Sequence, residues 1–227
     1  MGHLPRRPRR PPAARVFIIG FVKGGTAKST SAFFIALYWA LLGYKVLAID
    51  ADPKSQMLRQ WAKKARERGY TMPFKVEVLD VDLRDHVKEA LEDYDVVVVD
   101  TGGGDPALLH DGATIADVVL MPFAPSEGEV WRIPGTWTTV ATGAEQNPNG
   151  VVAAFFMVRA DHRTRLPRKW REEVENDKDE NGDPKYPLLQ AEINQGVFYI
   201  EAIGHVPAEV GDYDDLMKEV IEELKAA

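Results

Sequence analysis

Residues 20 to 30 read Gly-Phe-Val-Lys-Gly-Gly-Thr-Ala-Lys-Ser-Thr, set between the apolar run Val16–Ile19 and a longer one, Ala32–Leu42. A strand, a glycine-containing loop and a helix in that order make a phosphate cradle. Free backbone N–H groups and the helix dipole point at an anion, and a lysine adds a point charge. The common pattern G-x-x-x-x-G-K-[ST] is broken at both glycines, where Val22 and Ala27 stand. What remains is Lys23-Gly24-Gly25-x-x-Lys28-Ser29-Thr30, with two lysines five residues apart.

Within this loop, Lys28 is expected to reach the β- and γ-phosphates of a nucleotide, Ser29 to place its hydroxyl on Mg²⁺, and Thr30 to bond the α-phosphate. Gly24 and Gly25 let the backbone approach closely. Thr26 and Ala27 complete the nucleotide-binding stretch. Two carboxylate-tipped strands follow. Lys45–Ile49 runs into Asp50-Ala51-Asp52-Pro53, and the valines of Val96–Val99 run into Asp100-Thr101-Gly102-Gly103-Gly104. Carboxylates leaving strand tips beside a P-loop suit Mg²⁺ and an attacking water, and glycines after Asp100 leave room for a γ-phosphate. Asp52 is also placed to cap a helix.

Around these motifs, apolar runs alternate with helical stretches. Strands are expected at Val16–Ile19, Lys45–Ile49, Phe74–Leu79, Val96–Val99, Val118–Pro122 and Val151–Val158. Helices are expected from the P-loop to Leu42, Ser55–Arg68, Leu83–Leu91, Pro167–Asp177 and Asp214–Lys225, with Gly43 and Gly69 closing the first two. The four-valine run has the composition of a central parallel strand covered on both faces. This alternation predicts one α/β domain over residues 15–227: an open, mostly parallel sheet with helices on both faces and ligands at the strands' carboxyl ends. Residues 1–14 hold four prolines and four arginines and are expected to be a disordered basic tail.

Lys23-Gly24-Gly25-x-x-Lys28-Ser29 resembles the deviant P-loop of the ParA/MinD ATPases. Asp50-Ala51-Asp52-Pro53 and the Asp100 strand fall in the family's order, and Gln56, Trp61 and the segment Ile193–Gly204 resemble small ParA proteins of the ParF type from plasmids and phages. The resemblance covers about residues 15 to 210. It implies that Lys23 is the signature lysine, reaching across an ATP-sandwich homodimer to the partner's nucleotide, so that Lys23, Lys28 and Asp52 form the catalytic set. It further implies that Asp52 orients the attacking water, that Asp50 supports the magnesium shell with Ser29 and Asp100, and that Pro122 lies by the nucleotide base. ATP and Mg²⁺ are the implied cofactors. Non-specific DNA and a centromere-binding ParB-like protein are the implied partners, in a cytoplasmic, nucleoid-associated setting. The chain departs from the family at Ala27, usually glycine, and at Lys54, commonly glutamine. Alanine tolerates right-handed geometry, so the loop is expected to close at some cost in hydrolysis rate.

Composition narrows the field. The 227 residues contain no cysteine, which excludes disulfides, thiolate zinc and cysteine-held iron–sulfur clusters. The net charge is −7, yet the first fifteen residues carry five arginines and no acid, leaving −12 on the remainder. Arg159, Arg163, Arg165, Arg168, Lys169 and Arg171 are the basic cluster inside the folded part. The last five are the candidate DNA-binding residues, and the competing reading is a solvated face paired with Glu172, Glu173 and Glu175. The C-terminal stretch is acidic, which argues against a membrane-binding amphipathic helix. Two other functions fit the same motifs: a ParA-like ATPase positioning a protein cargo, and a metabolic P-loop enzyme activating a small substrate with ATP.

Overall fold

The computed structural model describes residues 13–79, 82–103 and 105–226. Among these, strands run at β1 (Val16–Ile19), β2 (Val46–Ala51), β3 (Lys75–Val78), β4 (Val96–Thr101), β5 (Val118–Phe123), β6 (Val152–Ala160) and β7 (Leu188–Asn194). The helices are α1 (Lys28–Leu41), α2 (Met57–Glu67), α3 (Leu83–Asp93), α4 (Pro106–Ala113), α5 (Glu127–Val130), α6 (Ile133–Ala144), α7 (Leu166–Asn176), α8 (Val197–Glu201) and α9 (Tyr213–Ala226). The expected tail lies outside the described residues except for Ala13 and Ala14, and Ala14 is buried in the core. Arg15 is part of the body: its guanidinium donates to the carbonyls of Leu91, Tyr94 and Asp95 around the end of α3.

The seven strands form one sheet in the order β3-β2-β4-β1-β5-β6-β7, every neighbouring pair parallel. Both faces are covered. Phe17 and Ile19 of β1, with Val96 and Val98 of β4, pack into one core beneath α1, α2 and α9. Val16, Ile18, Val97 and Val99 pack into the other, beneath α3, α4, α6 and α7. Two buried faces explain why the central strands read as unbroken apolar runs. From β1 the chain winds outward to β2 and β3, returns to set β4 between β2 and β1, and then winds the other way to β5, β6 and β7. A crevice therefore opens at the carboxyl end of β1, where ligands settle in such sheets.

The sheet has one strand more than the sequence predicts. β7 is an edge strand in which Leu189 and Ile193 are buried while Gln190 and Asn194 face solvent. Its main chain is held by acids from around α9: Glu219 accepts from the N–H of Gln190 and Ala191, and Asp212 from that of Asn194. Helices α4 and α6 are likewise unforeseen, because their glycines and threonines are poor helix formers. Each carries proline in its first turn, where the missing N–H costs nothing. A Cβ on Gly143 would stand 2.5 Å from the carbonyl oxygen of His110, so the two helices touch through that glycine.

Candidate functional site

The loop between β1 and α1 closes on itself. The Lys28 ammonium donates to the main-chain carbonyl of Lys23 at 2.9 Å. Gly25 has φ +82° and Ala27, the N-cap of α1, has φ +60°. The expected right-handed Ala27 is thus corrected: this alanine occupies the left-handed region that favours glycine, at a steric cost of about 1–2 kcal/mol. The second glycine of the common pattern answers to this conformation. Gly24 lies against the turn after β4, since a Cβ on Gly103 would stand 2.4 Å from Gly24 Cα. The P-loop and the Asp100 turn therefore pack backbone to backbone. Gly104 lies outside the described residues.

Asp50 and Asp100 are register partners on neighbouring strands, so both side chains leave the same face of the sheet. Both are fully buried, but their surroundings differ. Asp50 accepts from the N–H of Arg59 at 3.0 Å and of Asp52 at 3.3 Å, tying the start of α2 to the strand tip. Burial raises its pKa and those N–H groups oppose the rise. Asp100 has no hydrogen-bond partner for either oxygen among the described residues. Burial pushes its pKa up to about 7; the Asp50 and Asp52 charges add to the rise, while Lys28 and the nearby Ser29 hydroxyl, short of hydrogen-bond geometry, oppose it. Lys28, 6% exposed, has its own pKa lowered by burial, against the attraction of Asp100, Asp52 and Glu129.

Asp52 sits at the rim. Its Oδ1 accepts from the N–H of Lys54 at 3.0 Å and of Ser55 at 3.1 Å, closing a turn before α2. The residue at the N-cap of α2 is Gln56, at φ +45°, so Asp52 caps the turn and not the helix.

A cavity of about 400 Å³ is lined by Gly24–Thr30 together with Asp52, Ser55, Gly103, Arg159 and Ile203. Continuous with it through Ala27, Thr30, Arg159 and Ile203 is a more enclosed, largely apolar hollow of about 220 Å³ that reaches Asn194, Gly196 and Tyr199. Phosphates fit the first and a flat base the second. Pro122 is absent from the described residues lining either hollow; it is buried within β5, paired in register with Phe156. The wall of the second hollow comes from the ends of β6 and β7 and from α8. Arg159, grouped by sequence with the basic cluster, belongs here. It is the penultimate residue of β6, at φ +56°, beside a break in the β6–β7 register. Its place at a strand's carboxyl end was the available signal.

The rest of the basic cluster divides. Arg171 is half-buried and bound to Glu192 at 2.6 Å and to the Leu189 carbonyl, so it holds α7 to β7 and is withdrawn from any DNA surface. Arg163 is paired with Asp161 and Arg168 with Glu172. Arg165 and Lys169 are exposed, Lys169 lying 4.0 Å over the ring of Trp170. Lys23 is also outside the phosphate cavity: its ammonium is 4.0 Å from Glu129, whose other oxygen accepts from the Ala124 N–H.

The residues suit a magnesium nucleotide. Two buried carboxylate oxygens on Asp100 and the buried Thr26 hydroxyl lack partners beside an open cradle, and buried polar groups without partners call for a ligand. Magnesium is usually held by one or two carboxylates, a hydroxyl and substrate phosphates. No group of three or more acidic, histidine or cysteine side chains converges as a metal cage among the described residues, and that mode of binding does not require one.

Known proteins place this site in context. A protein named ParA from Rhizobium radiobacter is 30% identical over 110 residues, 48% of this chain and about half of that protein's length. In three dimensions the chain resembles a plasmid partition protein from Borrelia burgdorferi B31 bound to AMPPNP. The TM-score is 0.68 at 16% identity, covering 92% of this chain and 99% of the other. It equally resembles the cobyrinic acid a,c-diamide synthase of Mycobacterium smegmatis with bound ADP and magnesium, with a TM-score of 0.68 at 18% identity over 93% and 95% of the two chains. The profile of the CobQ/CobB/MinD/ParA nucleotide binding domain matches residues 17–226, and the chain belongs to that family.

Proposed function

We propose that this chain is a ParA-type ATPase that partitions DNA through an ATP-dependent dimer. The observation that carries the reading is the separation of its two loop lysines. Lys28 lies inside the phosphate cavity, whereas the Lys23 side chain is 43% exposed and does not line it. A cation on the P-loop that misses its own nucleotide suits the nucleotide of a second subunit, where it would act as a trans charge on the transferring phosphoryl group.

In this reading the Gly24–Thr30 backbone and Lys28 hold the phosphates. Ser29 and Asp100 would hold Mg²⁺, which when bound would supply charge neutralisation to the phosphates, with Asp50 behind them positioning the tip of β2. Asp52 orients the attacking water. Arg159 and the adjoining hollow take the nucleoside. DNA contact falls to Arg163, Arg165, Arg168 and Lys169, of which Arg165 and Lys169 are free of internal ion pairs among the described residues. A ParB-like centromere-binding protein would stimulate hydrolysis and release the complex, in the cytoplasm at the nucleoid.

The test is sedimentation and binding to a random-sequence duplex with ATP, with ADP and without nucleotide, each at two salt concentrations. We expect dimer formation and salt-sensitive DNA binding with ATP alone. Lys23→Ala should bind nucleotide yet hydrolyse it at least tenfold more slowly. DNA binding that ignores the nucleotide, or a Lys23→Ala variant of wild-type activity, would overturn the reading. ATP-dependent dimers that never touch DNA would favour the positioning of a protein cargo.

A further inference from the structure

Glu129 belongs to none of the sequence motifs, yet its charge is felt at both loop lysines. It stands in α5, just after the apolar strand β5, and is 6% exposed. A carboxylate at that depth is costly unless it is hydrogen-bonded and paired with a cation. One of its oxygens accepts from the main-chain N–H of Ala124, the residue after β5, which ties the side chain across its own loop. The other faces Lys23, whose ammonium is 4.0 Å away. A Cβ built on Gly128 would lie 3.9 Å from the same ammonium, so the Lys23 side chain extends to the start of α5. Glu129 also acts on Lys28, where burial lowers the pKa and the charges of Asp100, Asp52 and Glu129 oppose the fall.

The two lysines are thereby sent to different places. Lys28 donates to the Lys23 carbonyl and lines the phosphate cavity, with the charges of Asp100 and Asp52 close by. Lys23 leaves the loop toward α5 and stays outside that cavity. Its stem is a flexible four-carbon chain, and nothing in the loop backbone prevents such a chain from turning toward phosphates bound beside it. The acid on α5 supplies the bias. At 4.0 Å the pair is longer than a hydrogen bond, so it directs the ammonium without fixing it.

We propose that Glu129 is the positioning residue of Lys23: it holds the ammonium out of its own phosphate cavity and presents it to the nucleotide of a second subunit. The holding is a property of a single chain. The presentation rests on the proposed role of Lys23 in trans.

Glu129→Gln keeps an oxygen for the Ala124 N–H and removes the charge, and Lys23→Ala, at a half-exposed side chain, leaves the core intact. ADP affinity, measured by calorimetry on the monomeric full chain, reads the holding. With residue 129 neutral, Lys23 can turn to its own cavity, and ADP should bind about threefold tighter or more. In a Lys23→Ala background the same substitution should change nothing, since coupling through one contact vanishes with either partner. Unchanged ADP affinity in Glu129→Gln would overturn the proposal. A gain that persists without Lys23 would overturn it as well, by reducing Glu129 to a general charge beside the site.

ATP turnover reads the presentation. In Glu129→Gln, kcat should fall about fivefold or more with KM not raised, and the double variant should be no slower than Lys23→Ala alone. Losses that multiply would overturn the proposal by giving Glu129 a separate role. Lys23-dependent tightening of ADP together with wild-type turnover in Lys23→Ala would keep Glu129 as the holder of Lys23 and overturn the action in trans.

Discussion

The ammonium of Lys28 is held 2.9 Å from the main-chain carbonyl of Lys23, so the backbone beneath one loop lysine positions the other. Lys28 is buried among Asp100, Asp52 and Glu129, which balance its charge, and of the three Asp100 has no hydrogen-bond partner among the described residues. Lys28→Ala removes both the phosphate ligand and that balance. We expect affinity for a fluorescent ATP analogue to fall at least 100-fold, about 3 kcal/mol for the lost charge-assisted bonds, with the far-ultraviolet dichroism unchanged. Affinity within threefold of wild type would remove Lys28 from the phosphate site.

Asp100 makes the nucleotide-free protein sensitive to pH. Its folded pKa, pushed by burial from an ordinary 3.8 to about 7, lies above its unfolded value. Between those values the folded state keeps a proton that the unfolded chain has lost. Stability from this group therefore falls as pH rises through the window, and is lowest above about 7. Asp100→Asn cannot ionise and should melt a few degrees higher than wild type at pH 8 without nucleotide or Mg²⁺, a gap that narrows toward pH 5. The same variant should lose the effect of Mg²⁺ on nucleotide affinity. An unchanged melting difference across that range would show that Asp100 is not the titrating group.

Ala27 carries a backbone strain that one substitution relieves. At φ +60° its Cβ crowds the following carbonyl, while glycine adopts this conformation freely. Glycine also makes the unfolded chain more flexible, which offsets part of the gain. The net expectation for Ala27→Gly is a stabilisation of about 0.5–1 kcal/mol, read from the urea midpoint at constant slope. A lower midpoint would mean that the alanine methyl contributes packing that outweighs its strain.

The ends of β1, β2 and β4 were legible in the sequence because burial on both sheet faces leaves no alternation to misread, and each strand runs directly into one of the motifs of the candidate site. The edge was harder to read. β7 mixes Gln190, Glu192 and Asn194 with its apolar residues, since as an edge strand it has one neighbour in the sheet, and its backbone is satisfied by Glu219 and Asp212 from far along the chain. Asp50 shows the same limit within the site. Its place at the strand tip suggested support of a magnesium shell, and the structure adds what no local pattern announces: each of its oxygens accepts a main-chain N–H of the strand-to-helix connection. Arg171 is lost to Glu192 for a similar reason, a partner 21 residues away. Long-range pairing of this kind has no local signature.

Asp52 offers the sharpest separation of chemistry from structure. Its Oδ1 accepts from the N–H groups of Lys54 and Ser55, a role that an asparagine oxygen can keep, whereas orienting a water for attack calls on the charge. Asp52→Asn should therefore preserve the melting temperature and ATP affinity while lowering phosphate release by about 100-fold or more, the scale of a lost general base. Asp52→Ala should lose the same activity and in addition melt lower, because the turn leading into α2 is left with two unsatisfied donors. Wild-type turnover in Asp52→Asn would assign the residue to the turn alone and leave the attacking water to another group.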